Sequence, residues 1–131
     1  MNRLLLDTNV LIDFERADEE LDSILLDEDD AAISTITVAE LDVGVHSASP
    51  ENRKRRRTSV DAIIDNVLVI PYDIEVARRH AMLIAHTRRI GRPRGPHDLI
   101  VAATAAASRR ILVSDDRSAF TDLPGVVLLD A

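Results

Sequence analysis

Residues 1–12 read MNRLLLDTNVLI, with Leu4, Leu5 and Leu6 directly before Asp7. A short apolar run that ends in a turn-like DTN is typical of a buried strand. Asp7 then stands at the carboxyl end of that strand, where ligands gather in open α/β sheets. Thr8 and Asn9 are predicted to cap the helix that VLIDF begins. A lone Asp before a helix most often serves as such a cap, so this stretch alone gives Asp7 no chemical role.

The composition indicates one α/β domain over residues 1–131, with 46% hydrophobic and 30% charged residues. The chain has no cysteine, which excludes disulfides, thiolate zinc sites and cysteine nucleophiles. Aromatic residues are restricted to Phe14, Tyr72 and Phe120, too few for base-stacking platforms. Because no apolar stretch approaches the roughly 18 residues of a membrane span, and no signal peptide is visible, we expect a cytoplasmic location.

The net charge of −7 argues against tight, non-specific nucleic-acid binding, but the charge is unevenly distributed. Residues 13–30 are acidic, a run interpreted as a solvated helix face. The basic run RKRRR at residues 53–57 winds around more than one helix turn, so its members cannot all face one ligand. It could contact phosphates or an acidic partner, but a solvated helix face is the favoured interpretation.

Strand-like and helix-like patterns alternate along the chain. The apolar runs after the first predict strands at residues 31–34, 67–70, 111–114 and 125–129. Helical patterns lie between them, at residues 13–28 (one or two helices), 37–48, from 50 to about 66, 74–89 and from 97 onward. This alternation predicts a three-layer α/β/α domain with a mostly parallel sheet of four to five strands and right-handed crossovers.

Local signals refine these predictions. Thr35–Thr37 are expected to cap the second helical pattern, which places Glu40 just inside its first turn, where it can favour the helix dipole. Asp73 is expected to cap the helix at 74–89. The inward-facing residues predicted for that helix are Val76, Ala77, Ala81 and Ile84. Phe120 is expected to pack back on the core.

Four acids are predicted to meet at one edge of the sheet. Asp7 ends the first predicted strand and Glu40 lies in the helix after the second. Asp98 opens the helix after the GRPRGP loop, and Asp116 follows the strand at 111–114, so all four are expected at the carboxyl ends of the strands. Like charges about 4 Å apart cost roughly 4 kcal/mol per pair at an effective dielectric of 20, so such a cluster is kept where a cation neutralises it. Oxygen ligands without cysteine, and without a convincing histidine set, indicate Mg²⁺ or Mn²⁺ rather than zinc.

Four motifs together resemble those of PIN-domain ribonucleases, and more narrowly of VapC-type toxins from prokaryotic toxin–antitoxin pairs. They are LLLDTNVLID, ISTITVAELDVGV, PHDLIVAATA and ILVSDDRSAF, in the order of the family and over essentially the whole chain. The resemblance implies a Mg²⁺- or Mn²⁺-dependent endoribonuclease that acts as the toxin of a type II toxin–antitoxin system. It implies RNA cleavage by metal-activated water, inhibition by a VapB-like antitoxin, and often a toxin homodimer.

The resemblance also assigns roles to individual residues. The catalytic acids would be Asp7, Glu40, Asp98 and Asp116, with Asp7, Asp98 and Asp116 holding the metal. Ser114 fills the place of the small hydroxyl residue two positions before the fourth acid, and Thr8 or Asn9 would orient the first. Because Asp115 stands beside Asp116, the sequence leaves open which of them faces the metal, although the spacing to Phe120 favours Asp116.

A basic loop precedes the third acid. Residues 91–96 read GRPRGP, which cannot continue a helix. The arginines around this loop are expected to contact the RNA backbone: Arg88, Arg89, Arg92 and Arg94. Two other functions stay open: a non-catalytic PIN-like module that binds nucleic acid or protein, and a DNA-directed metal nuclease of the flap type. The sequence does not identify the RNA substrate.

Overall fold

The central sheet of the computed structural model has four parallel strands: β1 (Arg3–Leu6), β2 (Asp30–Ser34), β3 (Leu68–Ile70) and β4 (Ile111–Val113). The structure describes residues 2–17 and 30–129. The strands lie in the order β3-β2-β1-β4. Leu5 of β1 pairs in register with Ala32 on one side and with Leu112 on the other. The first strand of the chain is therefore central.

Helices cover both faces of this sheet: α1 (Thr8–Ala17), α2 (Thr35–His46), α3 (Pro50–Asn66), α4 (Ile74–Arg89) and α5 (Pro96–Ser108). Successive side chains of a strand point to opposite faces. Accordingly, Leu4 and Leu6 join the core beneath α2 and α3, while Leu5 joins the core beneath α4 and α5. The predicted three-layer α/β/α arrangement is confirmed. No helix in the described residues is long and apolar enough to cross a membrane.

The strand order creates a switch point between β1 and β4. From β1 the chain proceeds through β2 to β3 on one side, and β4 then returns to the other side of β1. In open parallel sheets, ligands bind in the crevice outside such a point. The backbone N–H of Asp7 donates to the carbonyl of Val113 at 2.9 Å, which ties the two strand ends together there.

The predicted elements hold, with differences at their ends. The predicted strand at 125–129 is reduced to one parallel bridge between Leu112 and Leu128, flanked by two backbone hydrogen bonds of Leu112. Part of the helical pattern predicted at 13–28 lies in α1, and residues 18–28 lie outside the described part of the chain. Phe120 is buried as expected, and Asp73 caps α4 through its side chain.

Three local predictions are wrong. Ser34, rather than Thr35–Thr37, caps α2, because its hydroxyl accepts from the N–H of Ile36 at 3.2 Å. Since α2 begins at Thr35, Glu40 falls in its second turn, beyond the first-turn dipole position. Ala81 is exposed, and the larger Leu83 takes the buried position on α4.

At the amino-terminal edge of the sheet, a buried arginine joins the strands. Arg110 donates to the carbonyl oxygens of Leu4 and Asp30, at 3.3 and 2.9 Å, and to the carboxylate of Asp30. The guanidinium of Arg110 holds the pKa of Asp30 below its usual value, mainly by hydrogen bonding. This ion pair lies at the opposite edge from the four predicted acids, so it stabilises the sheet away from the site.

Candidate active site

Asp7 is the buried centre of the site. It follows β1 directly and is only 3% exposed. Its Oδ1 accepts from the backbone N–H of Thr8 and its Oδ2 from the hydroxyl of Ser114, both at 2.8 Å. Burial is the main cause that raises the pKa of Asp7; the two hydrogen bonds oppose the rise, and the charges of Asp98 and Glu40 add to it. Asp7 is thus a carboxylate that the fold keeps in an unfavourable place for a negative charge.

Glu40 reaches the same site from α2. Its Oε1 accepts from the hydroxyl of Thr8 at 2.9 Å, and its Oε2 lies 3.7 Å from Nδ1 of His97. The Thr8 hydroxyl is also hydrogen-bonded to that of Thr37, at 3.0 Å. The prediction that Thr8 and Asn9 cap α1 is wrong, because α1 already begins at Thr8. Thr8 instead orients Asp7 through its backbone and Glu40 through its side chain, whereas Asn9 is exposed and takes no part in these bonds.

Asp98 lies in the first turn of α5, where the N-terminal end of the helix favours a negative charge. Its carboxylate folds back over Gly95, and a Cβ built on that glycine would lie 3.1 Å from Oδ2. Burial raises the pKa of Asp98, the charges of Asp116 and Glu40 raise it further, and His97 lowers it. Asp98 therefore interacts electrostatically with the second and the fourth predicted acid.

Asp116 and Asp115 differ in their neighbours. Asp116 caps a short 3₁₀ helix (Arg117–Ala119): its Oδ1 accepts from the N–H of Ala119 at 3.3 Å and from the Ser118 hydroxyl at 2.7 Å. Its own N–H donates to the Ser114 hydroxyl, which also holds Asp7. The carboxyl of Asp115 instead hydrogen-bonds Asp13 of α1, which raises the pKa of Asp115.

The four predicted acids thus form one electrostatic cluster: Asp7 interacts with Asp98 and Glu40, and Asp98 interacts with Glu40 and Asp116. Among the residues that the structure describes, His97 is the one basic side chain whose charge lowers the pKa of Asp98, and none lowers that of Asp7. A set of carboxylate oxygens short of positive charge fits a hard divalent cation in its donor chemistry. Among the described residues, no three acidic or histidine side chains are already arranged to hold a metal ion.

The predicted basic residues separate into two groups. Arg88 and Arg89 are exposed in the last turn of α4. Arg92 pairs with Asp122 at 2.9 Å, and the guanidinium of Arg94 is bonded to backbone carbonyls of residues 92, 119 and 121. Two of the four guanidinium groups are therefore already used within the fold.

Three neighbours of the acids are not among the site residues that the sequence predicts: Asp13, Thr37 and His97. His97 precedes Asp98 and could have been noticed as a charge beside an acid at a helix start. Thr37 looked like a helix-capping residue, and Asp13 looked like one acid of a solvated face. Their partners lie far away along the chain, so the sequence carries no local signal for these pairs.

Comparison with known proteins agrees with this geometry. The family model described as PIN domain matches residues 4–126. Ribonuclease VapC5 of Mycobacterium tuberculosis is 33% identical over 112 residues, covering 86% of this chain and 82% of that protein. VapC ribonuclease Y4jK of Sinorhizobium fredii is 34% identical and covers 89% of each chain.

A solved structure is similar over almost the same length. The DNA-bound VapBC of Salmonella typhimurium superposes with a TM-score of 0.85 and 26% identity, covering 99% of this chain and 98% of that one. Both the sequence and the fold thus match the same group of proteins over most of the chain. The chain therefore belongs to the PIN-domain family of nucleases and is a homologue of the VapC ribonuclease toxins.

Proposed function

We propose that this protein is a divalent-metal-dependent endoribonuclease and the toxin of a type II toxin–antitoxin pair. The observation that carries the proposal is the cluster of four carboxylates at the β1–β4 switch point, with Asp7 buried at its centre. Its VapC relatives are named ribonucleases, which supports RNA as the substrate class. The similar Salmonella structure is a VapBC complex, which supports a VapB-like antitoxin as the partner.

The acids have separate tasks in this proposal. Asp7, Asp98 and Asp116 would hold Mg²⁺ or Mn²⁺, which supplies positive charge to stabilise a phosphodiester transition state. Ser114 supports this set because its hydroxyl bonds both the Asp7 carboxylate and the Asp116 backbone. Asp116 is preferred over Asp115 because its charge acts on Asp98, whereas Asp115 is paired with Asp13.

Glu40 would act on the attacking water. Thr8 holds Oε1, which leaves Oε2 facing His97 and open to accept a proton. The water oxygen would bond to phosphorus as its proton passes to Oε2, the bond from phosphorus to the 3′ oxygen would break, and the departing 3′ oxygen would take a proton from solvent water. Since a general base is expected to contribute about 10²–10⁴-fold, Glu40→Gln should retain metal binding and lose most turnover.

Arg88 and Arg89 are exposed and would contact RNA phosphates beside the site.

The test begins with Mn²⁺ titration calorimetry on purified, antitoxin-free protein. Wild type should bind Mn²⁺ saturably, and Asp98→Asn should lose this binding. Asp65→Asn, an exposed acid on α3, is the matched control and should bind like wild type. Digestion of single-stranded RNA, folded RNA and flap DNA then identifies the substrate. Absence of Mn²⁺ binding in wild type would favour a binding module, and cleavage of flap DNA alone would favour a DNA nuclease.

A further inference from the structure

One arginine joins the two segments that carry the third and fourth acids. Arg94 lies in the loop before α5, four residues before Asp98. Its Nε donates to the carbonyl of Ala119 at 3.2 Å and its Nη2 to that of Thr121 at 2.9 Å. Both carbonyls belong to the segment directly after Asp116, so the guanidinium bridges the two loops that flank the site.

The bridge is connected to the carboxylate of Asp116 through a single residue. Ala119 accepts from Arg94 with its carbonyl oxygen, and its N–H donates to Oδ1 of Asp116 at 3.3 Å. A shift of Ala119 would therefore move the group that orients the Asp116 carboxylate. The path from Arg94 to the fourth acid contains two hydrogen bonds and one residue.

A second, more exposed set of contacts also joins the loop before α5 to the segment after Asp116. Arg92 pairs with Asp122 at 2.9 Å, and both side chains are more than half exposed. Nε2 of His86, near the end of α4, lies 2.9 Å from the carbonyl oxygen of Asp122. Exposed ion pairs contribute little, whereas the half-buried guanidinium of Arg94 makes charge-assisted hydrogen bonds. Arg94 is therefore the main element of the bridge.

The guanidinium of Arg94 is directed at backbone carbonyls rather than at a carboxylate. The charged groups that shift the pKa of Asp98 are Asp116, Glu40 and His97, and Arg94 is not among them. A planar fork can bridge two carbonyls at once, whereas the single ammonium of lysine cannot reproduce this geometry.

We propose that Arg94 is a positioning residue that fixes the Asp116 segment against the loop before Asp98, and thereby sets the separation of these two carboxylates. The inference rests on the proposed metal-dependent function. It assigns Arg94 a different task from the phosphate contact expected from the sequence. A phosphate contact needs only positive charge, but this task needs the guanidinium fork.

The deciding variant is Arg94→Lys, which keeps the charge and much of the side-chain stem. Mn²⁺ affinity is measured by titration calorimetry on metal-free wild type, Arg94→Lys, Arg94→Ala and Arg78→Ala. Arg78 is an exposed residue of α4 and serves as the matched control. Circular dichroism checks folding, and kcat and KM for single-stranded RNA are measured in parallel. If Arg94→Ala fails to fold, Arg94→Lys alone decides the question.

We expect Mn²⁺ affinity to fall roughly 10- to 100-fold in both Arg94 variants, the loss typical of residues that orient metal ligands. In Arg94→Lys, kcat should fall while KM for RNA stays near that of wild type. Wild-type Mn²⁺ affinity in Arg94→Lys, with a raised KM only in Arg94→Ala, would overturn the inference and restore a phosphate contact. Absence of Mn²⁺ binding in wild type itself would overturn the proposed function and this inference together.

Discussion

The hydroxyl of Thr8 lies 2.9 Å from Oε1 of Glu40, so the residue directly after the first acid holds the second. The Thr8 backbone N–H binds Asp7, and its hydroxyl is also bonded to that of Thr37. A hydroxyl has one proton and a carboxylate only accepts, so Thr8 donates to Glu40 and Thr37 donates to Thr8. Thr8 therefore joins β1, α1 and α2 at the site.

Thr8→Val should test this link, because valine keeps the shape of threonine and removes the hydrogen bonds. Without a donor on Oε1, Glu40 loses its fixed orientation, and we expect kcat for RNA cleavage to fall about 10- to 100-fold. Mn²⁺ affinity should change less, since the Thr8 backbone still binds Asp7. Thr58→Val is the matched control, because the Thr58 hydroxyl donates to the backbone carbonyl of Lys54 within α3, away from the acids. Equal kcat in Thr8→Val and wild type would show that Thr8 does not orient Glu40.

Asp7→Asn should stabilise the metal-free protein while abolishing its Mn²⁺ binding. Burial raises the pKa of Asp7, so at a pH between its ordinary and its raised pKa the folded state binds more protons than the unfolded chain. The stability contribution of Asp7 therefore falls as pH rises from its ordinary pKa near 4 through the raised value. At pH 7, removing this charge should add on the order of 1 kcal/mol, or roughly 3–5 °C in the thermal midpoint.

Thermal unfolding of Asp7→Asn and wild type at pH 4 and pH 7 measures this effect. The difference between their thermal midpoints should be larger at pH 7, which lies above the ordinary pKa of Asp7, than at pH 4. Asn keeps an acceptor for the Thr8 N–H and a partner for the Ser114 hydroxyl, so its packing should be preserved. A lower midpoint for Asp7→Asn at pH 7 would contradict the prediction, since it would mean that the hydrogen bonds outweigh burial.

Gly95→Ala should disturb Asp98 without straining the backbone. The φ angle of Gly95 is −56°, which alanine adopts readily, but the new Cβ would lie 3.1 Å from Oδ2 of Asp98. The carboxylate must shift by a few tenths of an ångström, so we expect Mn²⁺ affinity to fall by roughly tenfold with little loss of stability. Calorimetric Mn²⁺ titration is the measurement.

Gly44→Ala is the matched control for Gly95→Ala. A Cβ at Gly44 has its nearest neighbour, Nη1 of Arg56, at 4.0 Å, and the residue lies within α2. This substitution should leave Mn²⁺ affinity unchanged and stabilise the helix by about 0.5–1 kcal/mol. If both glycine variants bind Mn²⁺ like wild type, Asp98 adapts to the added methyl group, and the close contact between residue 95 and Asp98 does not affect metal binding.

Arg110→Met should destabilise the fold and leave the site chemistry intact. The substitution removes hydrogen bonds to two carbonyls and to the Asp30 carboxylate at the edge of the sheet away from the acids. Breaking a buried ion pair costs about 3–5 kcal/mol, but Asp30 is partly exposed, so we expect about 2–3 kcal/mol by urea unfolding at pH 7. Arg3→Met, which removes only an exposed 3.9 Å contact with Asp30, should cost less than about 0.5 kcal/mol.

The Arg110–Asp30 pair should also be sensitive to acid. Because the folded pKa of Asp30 is lowered, its contribution is complete above the ordinary pKa near 4 and is lost as pH falls through the lowered value. The stability difference between wild type and Arg110→Met should therefore shrink below about pH 4. A difference that stays constant down to pH 2 would show that the carbonyl contacts alone account for it.

The sequence by itself determined the elements and their type. Apolar runs such as Leu4–Leu6 and the alanine-rich pattern of α5 are local signals, and the structure confirms the strand, the buried helix and the alternation behind three layers. The sequence also predicted that the four acids lie at the carboxyl ends of the strands, because in a parallel sheet that position follows from chain order alone. Their roles as metal ligands and catalytic groups stay predictions.

Only the tertiary structure decided which acids are neighbours and what holds them. The strand order puts β4 beside β1, and this brings Ser114 to Asp7 and separates Asp116 from Asp115. The sequence predicted an RNA contact at Arg94, but the guanidinium meets carbonyls more than twenty residues away along the chain. Periodicity reports which face of an element is apolar, whereas such long-range hydrogen bonds depend on how the elements are placed in space, and no local pattern encodes that placement.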